Sequence, residues 1–119
     1  MKTLIIGCRG FVGSHLRKAS KNAQGTHRVA TADCLPLDLC LPDLSKLPIN
    51  WEEYSHAIVT SGVTKIGLCE QQPETTYLCN VTGTLKLASQ LKERNIFPIF
   101  FSSDYVFDGE NAPYDETSK

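Results

Sequence analysis

Three glycines spaced three residues apart, Gly7, Gly10 and Gly13, stand between a short apolar run, Thr3-Leu4-Ile5-Ile6, and a helical pattern that begins at Phe11. A strand, a glycine loop and a helix start together present backbone N–H groups and the positive end of a helix dipole, the arrangement that holds a phosphate. Gly7 permits the turn, Gly10 lets a pyrophosphate approach the backbone, and Gly13 lets the helix pack on its strand. The stretch expected to face the ligand is therefore Gly7, Cys8, Arg9, Gly10, Phe11, Val12 and Gly13. Twenty residues after Gly13 comes Asp33, which closes a second strand-like run, Val29-Ala30-Thr31-Ala32. A carboxylate there accepts hydrogen bonds from an adenosine ribose, so the chemistry implied is dinucleotide binding.

The same residues bear on which dinucleotide. Arg9 is either a solvated arginine or a group reaching a 2′-phosphate. Asp33 repels a 2′-phosphate and suits a free ribose diol, and it is followed by Cys34 rather than by an arginine. The expectation is NAD or NADP, with the balance toward NAD.

The elements that must position these groups alternate along the chain. Residues 2–6, 27–32 and 56–60 read as strands, with a brief strand around Leu37-Asp38-Leu39 and a last one from Ile99 to Phe101. Val12, Leu16 and Ala19 share one face of a helix over 11–22, and Gly25 reads as its stop. Pro42 to Leu47 suits a short helix. From Glu74 to Arg94 a longer helix is predicted, with Tyr77, Val81, Leu85, Ala88 and Leu91 as its apolar face. Strand and helix in alternation predict an α/β protein: a doubly wound parallel sheet of Rossmann type, about five strands in the order 3-2-1-4-5, with helices on both faces. In such sheets ligands sit at the carboxyl ends of the strands, which adds Thr60, Ser61 and Gly62 to the candidate cofactor site. Asn80 is unfavourable inside a helix, and its expected use is a hydrogen bond to a neighbouring strand's backbone.

Other classes of function are set aside by bulk properties. A formal net charge of −1 offers no electrostatic footprint for nucleic acid or an anionic membrane surface. No apolar run approaches a membrane span, and the strand-like start lacks the apolar core of a signal peptide. Five cysteines, an odd count with no CxxC, read as free thiols in a reducing cytoplasm. His15, His27 and His56 have no metal-ligand spacing, so no metal site is expected. At 119 residues the whole chain, 1–119, is expected to be one NAD(P)-binding domain.

Ser102-Ser103-Asp104-Tyr105-Val106-Phe107-Asp108-Gly109 resembles the S-[ST]-D-Y-V-F-D-G stretch of the dTDP-4-dehydrorhamnose reductase branch of the extended short-chain dehydrogenases/reductases. Asn80-Val81-Thr82-Gly83-Thr84 looks like that branch's V-N-V-x-G-T helix motif. Asn111-Ala112-Pro113-Tyr114-Asp115-Glu116 looks like its P-Y-x-E. The glycine loop is also similar to the G-x-R-G-x-V-G of the NADPH-dependent GDP-fucose synthases, which keeps the 2′-phosphate reading of Arg9 open. The resemblance implies that Ser103 is a catalytic hydroxyl that positions a substrate oxygen. It implies that Asp38-Leu39 approach the adenine; as plain sequence, Asp38 reads equally well as a turn aspartate.

What the resemblance implies overall is an NAD(P)-dependent oxidoreductase or epimerase acting on a nucleotide-linked sugar, with dinucleotide and nucleotide sugar as partners. The departures matter. The family's Tyr-x-x-x-Lys pair falls beyond this chain, and Tyr114 and Lys119 are five apart, not four. Ser61-Gly62-Val63 replaces an Asn-Ala-Ala-like segment. The expectation is the dinucleotide-binding half of such an enzyme, truncated before the substrate domain, inactive alone, and a homo-oligomer through its last strand's exposed edge. The alternative is a non-catalytic, dinucleotide-binding regulatory subunit of the same fold.

Overall fold

The first strand is the one the rest of the chain is built around. Leu4, Ile5 and Ile6 are each within 1% of complete burial, as a strand covered on both faces requires. The computed structural model describes residues 1–118. In it β1 (Lys2–Ile6) lies at the centre of a five-stranded sheet with β2 (Ala23–His27), β3 (Cys34–Pro36), β4 (Tyr54–Val59) and β5 (Phe97–Phe100). The order is β3-β2-β1-β4-β5 and every named pair is parallel. The expected order 3-2-1-4-5 is thus observed.

Alternate residues of β1 feed two cores. Leu4 and Ile6 join Leu87, Leu91 and Ile96 in the larger one, under helix α4 (Thr84–Glu93). Ile5 joins Cys8 and Cys34 in a smaller one, with Leu16 of helix α1 (Phe11–Ala19) packed against it. Between β4 and α4 run two short helices, α2 (Ile66–Gln71) and α3 (Pro73–Tyr77), and a wide π-helical turn, Leu78–Gly83.

Several elements differ from the sequence expectation. β2 lies at Ala23–His27, not 27–32, because Gly25 belongs in the sheet: a side chain there would run into the Cys8 side chain from the neighbouring loop. β3 is accordingly Cys34–Pro36 rather than 37–39. The predicted helix over Pro42–Leu47 is a single 3-10 turn, Leu44–Lys46, capped by Asp43. α2 has no sequence signal, since Gly67 interrupts it and none of its residues is buried. The long helix exists as α3, the π turn and α4, but its buried face is Cys79, Gly83, Leu87 and Leu91. Tyr77 and Leu85 point outward, 62% and 67% exposed. On α1 the packing face is Gly13 and Leu16, while Val12 and Ala19 are exposed.

The cysteines are also a correction. The sheet order brings Cys8 to Cys34, and the π turn brings Cys79 to Cys40; both pairs are disulfide-bonded, and Cys69 alone is free. The reading of a reducing compartment rested on five free thiols and loses that support. No helix among the described residues is long and apolar enough to cross a membrane.

Candidate functional site

The glycine loop is fixed from three sides. The N–H groups of Gly7 and Cys8 both donate to the Thr26 carbonyl, at 3.1 and 2.9 Å, which ties the loop to β2. Gly7 has φ of +92°, a conformation side chains rarely adopt, and a Cβ on it would collide with Ser61. A Cβ on Gly13 would collide with the Gly7 carbonyl. From β4's end Thr60 closes the loop: its N–H donates to the Ile6 carbonyl at 2.8 Å, and its hydroxyl reaches the same carbonyl at 2.9 Å and that of Gly7 at 3.2 Å. Gly10 is different. Added bulk there would meet only the Gly7 carbonyl, at an ordinary 3.4 Å, so the space beside it is open.

That space is a cleft of about 380 Å³. Gly7 and Gly10 form one wall, Thr60, Ser61 and Gly62 another, and Asp38 and Leu39 lie at the β3 end. No side chain caps the start of α1, leaving its first-turn N–H groups without intrahelical partners. Cys8 does not line the cleft, and its side chain is buried toward Cys34. Phe11 is 84% exposed at the helix start, with its ring 4.9 Å from that of His15.

Asp38 makes the turn that its plain sequence suggests and also borders the cleft. It lines the cleft, and its carboxylate accepts the Cys40 N–H at 2.9 Å in a turn. Leu39 is buried, and its carbonyl packs on Gly83 so closely that any Cβ would overlap it. Asn80 behaves as a second backbone. Its Oδ1 accepts the Val63 N–H and its Nδ2 donates to the Val63 carbonyl, both at 2.8 Å. The amide thus holds the 60–63 segment against the π turn, a kind of helix widening often found beside sites.

Asp33 and Arg9 lie elsewhere. They share an adjoining hollow of about 480 Å³ with Ser14, Arg17 and Lys18. Arg17 donates to Asp33 at 2.6 Å and Thr31 donates at 2.8 Å; these bonds, Arg17's foremost, hold the carboxyl below its ordinary range. β2 ends at His27, and His27 and Arg28, at and just past the strand end, both line the cleft. Arg28 is not among the residues expected from the sequence at the cleft, because that reading puts the strand at 27–32 and this residue inside it.

Ser103 follows β5 and caps the 3-10 turn Asp104–Val106, accepting the Tyr105 N–H at 3.2 Å and donating to Asp104 at 3.3 Å. It is exposed and does not line the cleft. A smaller hollow of about 190 Å³, bounded by Asn80 and Phe101, shares Ser61 and Gly62 with the cleft. Tyr114 stacks on Phe107, centroids 4.4 Å apart, and its hydroxyl donates to Asp108. That bond, with the Glu110 N–H and the Asn111 amide, lowers the Asp108 pKa to about 2. Lys119 lies outside the described residues. No cluster of three or more metal-ligating side chains occurs among the described residues.

The whole chain, residues 1–119, matches the family described as RmlD substrate binding domain. Among sequence relatives, methionine adenosyltransferase 2 subunit beta of Xenopus laevis is 45% identical over 122 residues, which is 98% of this chain and 36% of that protein. The dTDP-4-dehydrorhamnose reductase of Aggregatibacter actinomycetemcomitans is 29% identical over 117 residues, 98% of this chain and 40% of the relative. Among solved structures, a hypothetical dTDP-4-dehydrorhamnose reductase from Sulfolobus tokodaii superposes with a TM-score of 0.78 at 25% identity, over 100% of this chain and 45% of that one. The chain therefore spans less than half the length of each.

Proposed function

This chain belongs to the RmlD substrate binding domain family, and on that premise we propose that residues 1–119 form a dinucleotide-binding domain, the cofactor half of an NAD(P)-dependent oxidoreductase or epimerase acting on a nucleotide-linked sugar. One observation carries the reading: the contrast within the glycine loop. Gly7 and Gly13 are packed against protein with no room for a Cβ, whereas Gly10 faces open cleft beside an uncapped helix start. The residues present fit a pyrophosphate there, because the free N–H groups and the helix dipole both favour an anion.

In this reading Gly7 to Gly13 hold the pyrophosphate through backbone. Thr60 keeps the loop closed, Ser61 and Gly62 leave room for the nucleotide, and Asp38 and Leu39 border the adenine. The cofactor, when bound, supplies hydride transfer. Ser103 positions the sugar oxygen by turning its hydroxyl hydrogen from Asp104 to that oxygen. A Gly10→Val chain tests the binding claim. Calorimetry with NADH and NADPH should show binding to the native chain and none to the variant, with unchanged circular dichroism. Equal binding by both chains would remove the reading.

A second reading is favoured by one number. Identity to a protein named as a subunit of methionine adenosyltransferase is 45%, against 29% to a named reductase. A non-catalytic dinucleotide-binding subunit would keep the cleft and have no use for the Ser103 hydroxyl. Co-elution with a methionine adenosyltransferase, unaffected by Ser103→Ala, would favour it.

A further inference from the structure

We propose that the Cys40–Cys79 disulfide is a redox-exchangeable clasp on the cleft, opened by a small thiol and closed by the corresponding small disulfide, and that its state sets how firmly one wall of the cleft is held. The inference goes beyond the dinucleotide reading and stands on how the cleft is built, whichever ligand it takes.

The two cross-links lie in different settings. Cys8 and Cys34 pack with Ile5 in the smaller core, and although Cys8 borders the adjoining hollow, neither member of that pair exceeds 3% exposure. Cys40 and Cys79 both line the cleft, and Cys40 is only half-buried. Exchange begins when a thiolate reaches one sulfur of a disulfide, so access separates the two pairs. The Cys40 sulfur is the one a small thiol meets from the cleft.

The exchange balances with the small thiol alone. Its thiolate attacks the Cys40 sulfur, the Cys40–Cys79 bond breaks, and Cys79 leaves with the electron pair and takes up a proton. A second thiolate attacks the small-molecule sulfur of the mixed disulfide, and Cys40 leaves in its turn and takes up a proton. The protein disulfide has gained two electrons, and two small thiols have become one small disulfide. Closing runs the same steps backward.

The clasp joins segments from different parts of the cleft. Leu37 to Cys40 border it beyond β3, and Cys79 belongs to the π turn, 39 residues downstream of Cys40. The next residue on that turn, Asn80, holds Val63 by two hydrogen bonds. One turn therefore carries the 60–63 wall through Asn80 and the 37–40 wall through Cys79. Opening the disulfide leaves the Asn80 bonds untouched. The 37–40 segment keeps only non-covalent ties to its neighbours, the Leu39 carbonyl against Gly83 and the Leu37 N–H donating to the His27 carbonyl. Reduction thus loosens one wall and spares the other.

The test incubates the full chain with oxidised glutathione and digests a sample without reduction, which should yield a Cys40–Cys79 linked peptide. In excess reduced glutathione that linkage should open roughly tenfold faster or more than Cys8–Cys34, read by alkylation and mass spectrometry with the free Cys69 as internal reference. Amide hydrogen exchange at Leu37, Cys40 and Leu41 should then speed up by roughly tenfold, while that at Val63 stays as it was. Cys40→Ser should show the faster exchange from the start and gain nothing from reduced glutathione while Cys8–Cys34 stays closed. Absence of the linked peptide, equal opening of both pairs, exchange unchanged by opening, or a response that survives Cys40→Ser overturns the inference. None of these readouts involves a nucleotide, so failure of NADH to bind overturns the dinucleotide reading alone.

Discussion

Ile5 and Ile99 lie on the same face of one sheet, linked through Ile58 by the strand register, and their surroundings are opposite. Ile5 is 1% exposed beneath α1, while Ile99 is 38% exposed, with Phe97 and Phe101 more exposed still on the same side. One half of the face is finished by the chain's own helix, and no described residue finishes the other. The candidate functions divide along that line. The cleft proposed for the nucleotide belongs to the finished half and is held by backbone hydrogen bonds and glycine contacts. The serine segment hangs from β5 in the unfinished half, and among the described residues the Ser103 side chain bonds only its neighbours Asp104 and Tyr105. Binding is therefore expected to be complete in this chain, and catalysis is not.

The sharpest way to break the comparison is to look for turnover. The purified chain should bind dinucleotide and convert no nucleotide sugar, because a positioned proton-transfer group is worth roughly 100- to 10,000-fold and residues 1–119 contain no Tyr-x-x-x-Lys pair. Any rate above background in a coupled NAD(P)H assay would join the two halves that the geometry separates.

Next in size is the glycine loop itself. Gly13→Ala drives a methyl into the Gly7 carbonyl, backbone that β2 and Thr60 both hold in place, and should cost roughly 3 kcal/mol as overpacking does. Gly10→Ala meets no such obstacle and should cost about 1 kcal/mol or less. Urea denaturation of the two variants separates packing glycine from ligand glycine, and equal losses would deny the distinction.

The open half makes its own prediction. Exposed Phe97 and Ile99 on an edge strand, with Phe101 just past its end, favour pairing with a second chain. Light scattering should show concentration-dependent association, and Ile99→Lys should weaken it about tenfold. A native chain that stays monomeric when concentrated would mean that the uncovered face is inert.

The smallest effect belongs to the tail. The Asp108 pKa is lowered to about 2 because the Tyr114 hydroxyl, the Glu110 N–H and the Asn111 side-chain amide favour its charged form. A depressed carboxylate pKa stabilises the fold above the ordinary range and loses that contribution as pH falls. The Asp108–Tyr114 turn should therefore loosen between about pH 4 and pH 2. Tyr114→Phe removes the largest cause and should return the Asp108 carbon-13 titration toward ordinary values. An unmoved midpoint would show that the tyrosine hydroxyl does not set it.

The sheet order and the glycine loop were legible because both rest on local rules: an apolar run ended by glycine, and strands alternating with helices. Asn80 was legible as a misfit, a polar residue where a helix does not favour one, and its amide does bond backbone, at Val63. What stayed hidden depends on contacts between distant segments. Gly25 reads as a stop signal until Cys8 is seen packed against it, and that shift moves β2, removes Asp33 from the cleft and brings in Arg28. Cys79 and Gly83 carry no hydrophobic signal to match Tyr77 and Leu85, yet they are the buried face, because Gly83 must meet the Leu39 carbonyl.

The latch at Thr60 has a consequence for when this protein becomes able to bind anything. The hydroxyl that closes the glycine loop stands 54 residues downstream of the Ile6 carbonyl it bonds. A chain made from its N-terminus therefore delivers the loop early and the latch late, and parallel strand pairing of that reach is slow to form. Until β4 and Thr60 arrive, Gly7 has neither its neighbouring strand nor its closing bond. The glycine loop is therefore made well before the group that closes it, so a ligand of the cleft meets a folded sheet rather than serving as the template on which it folds.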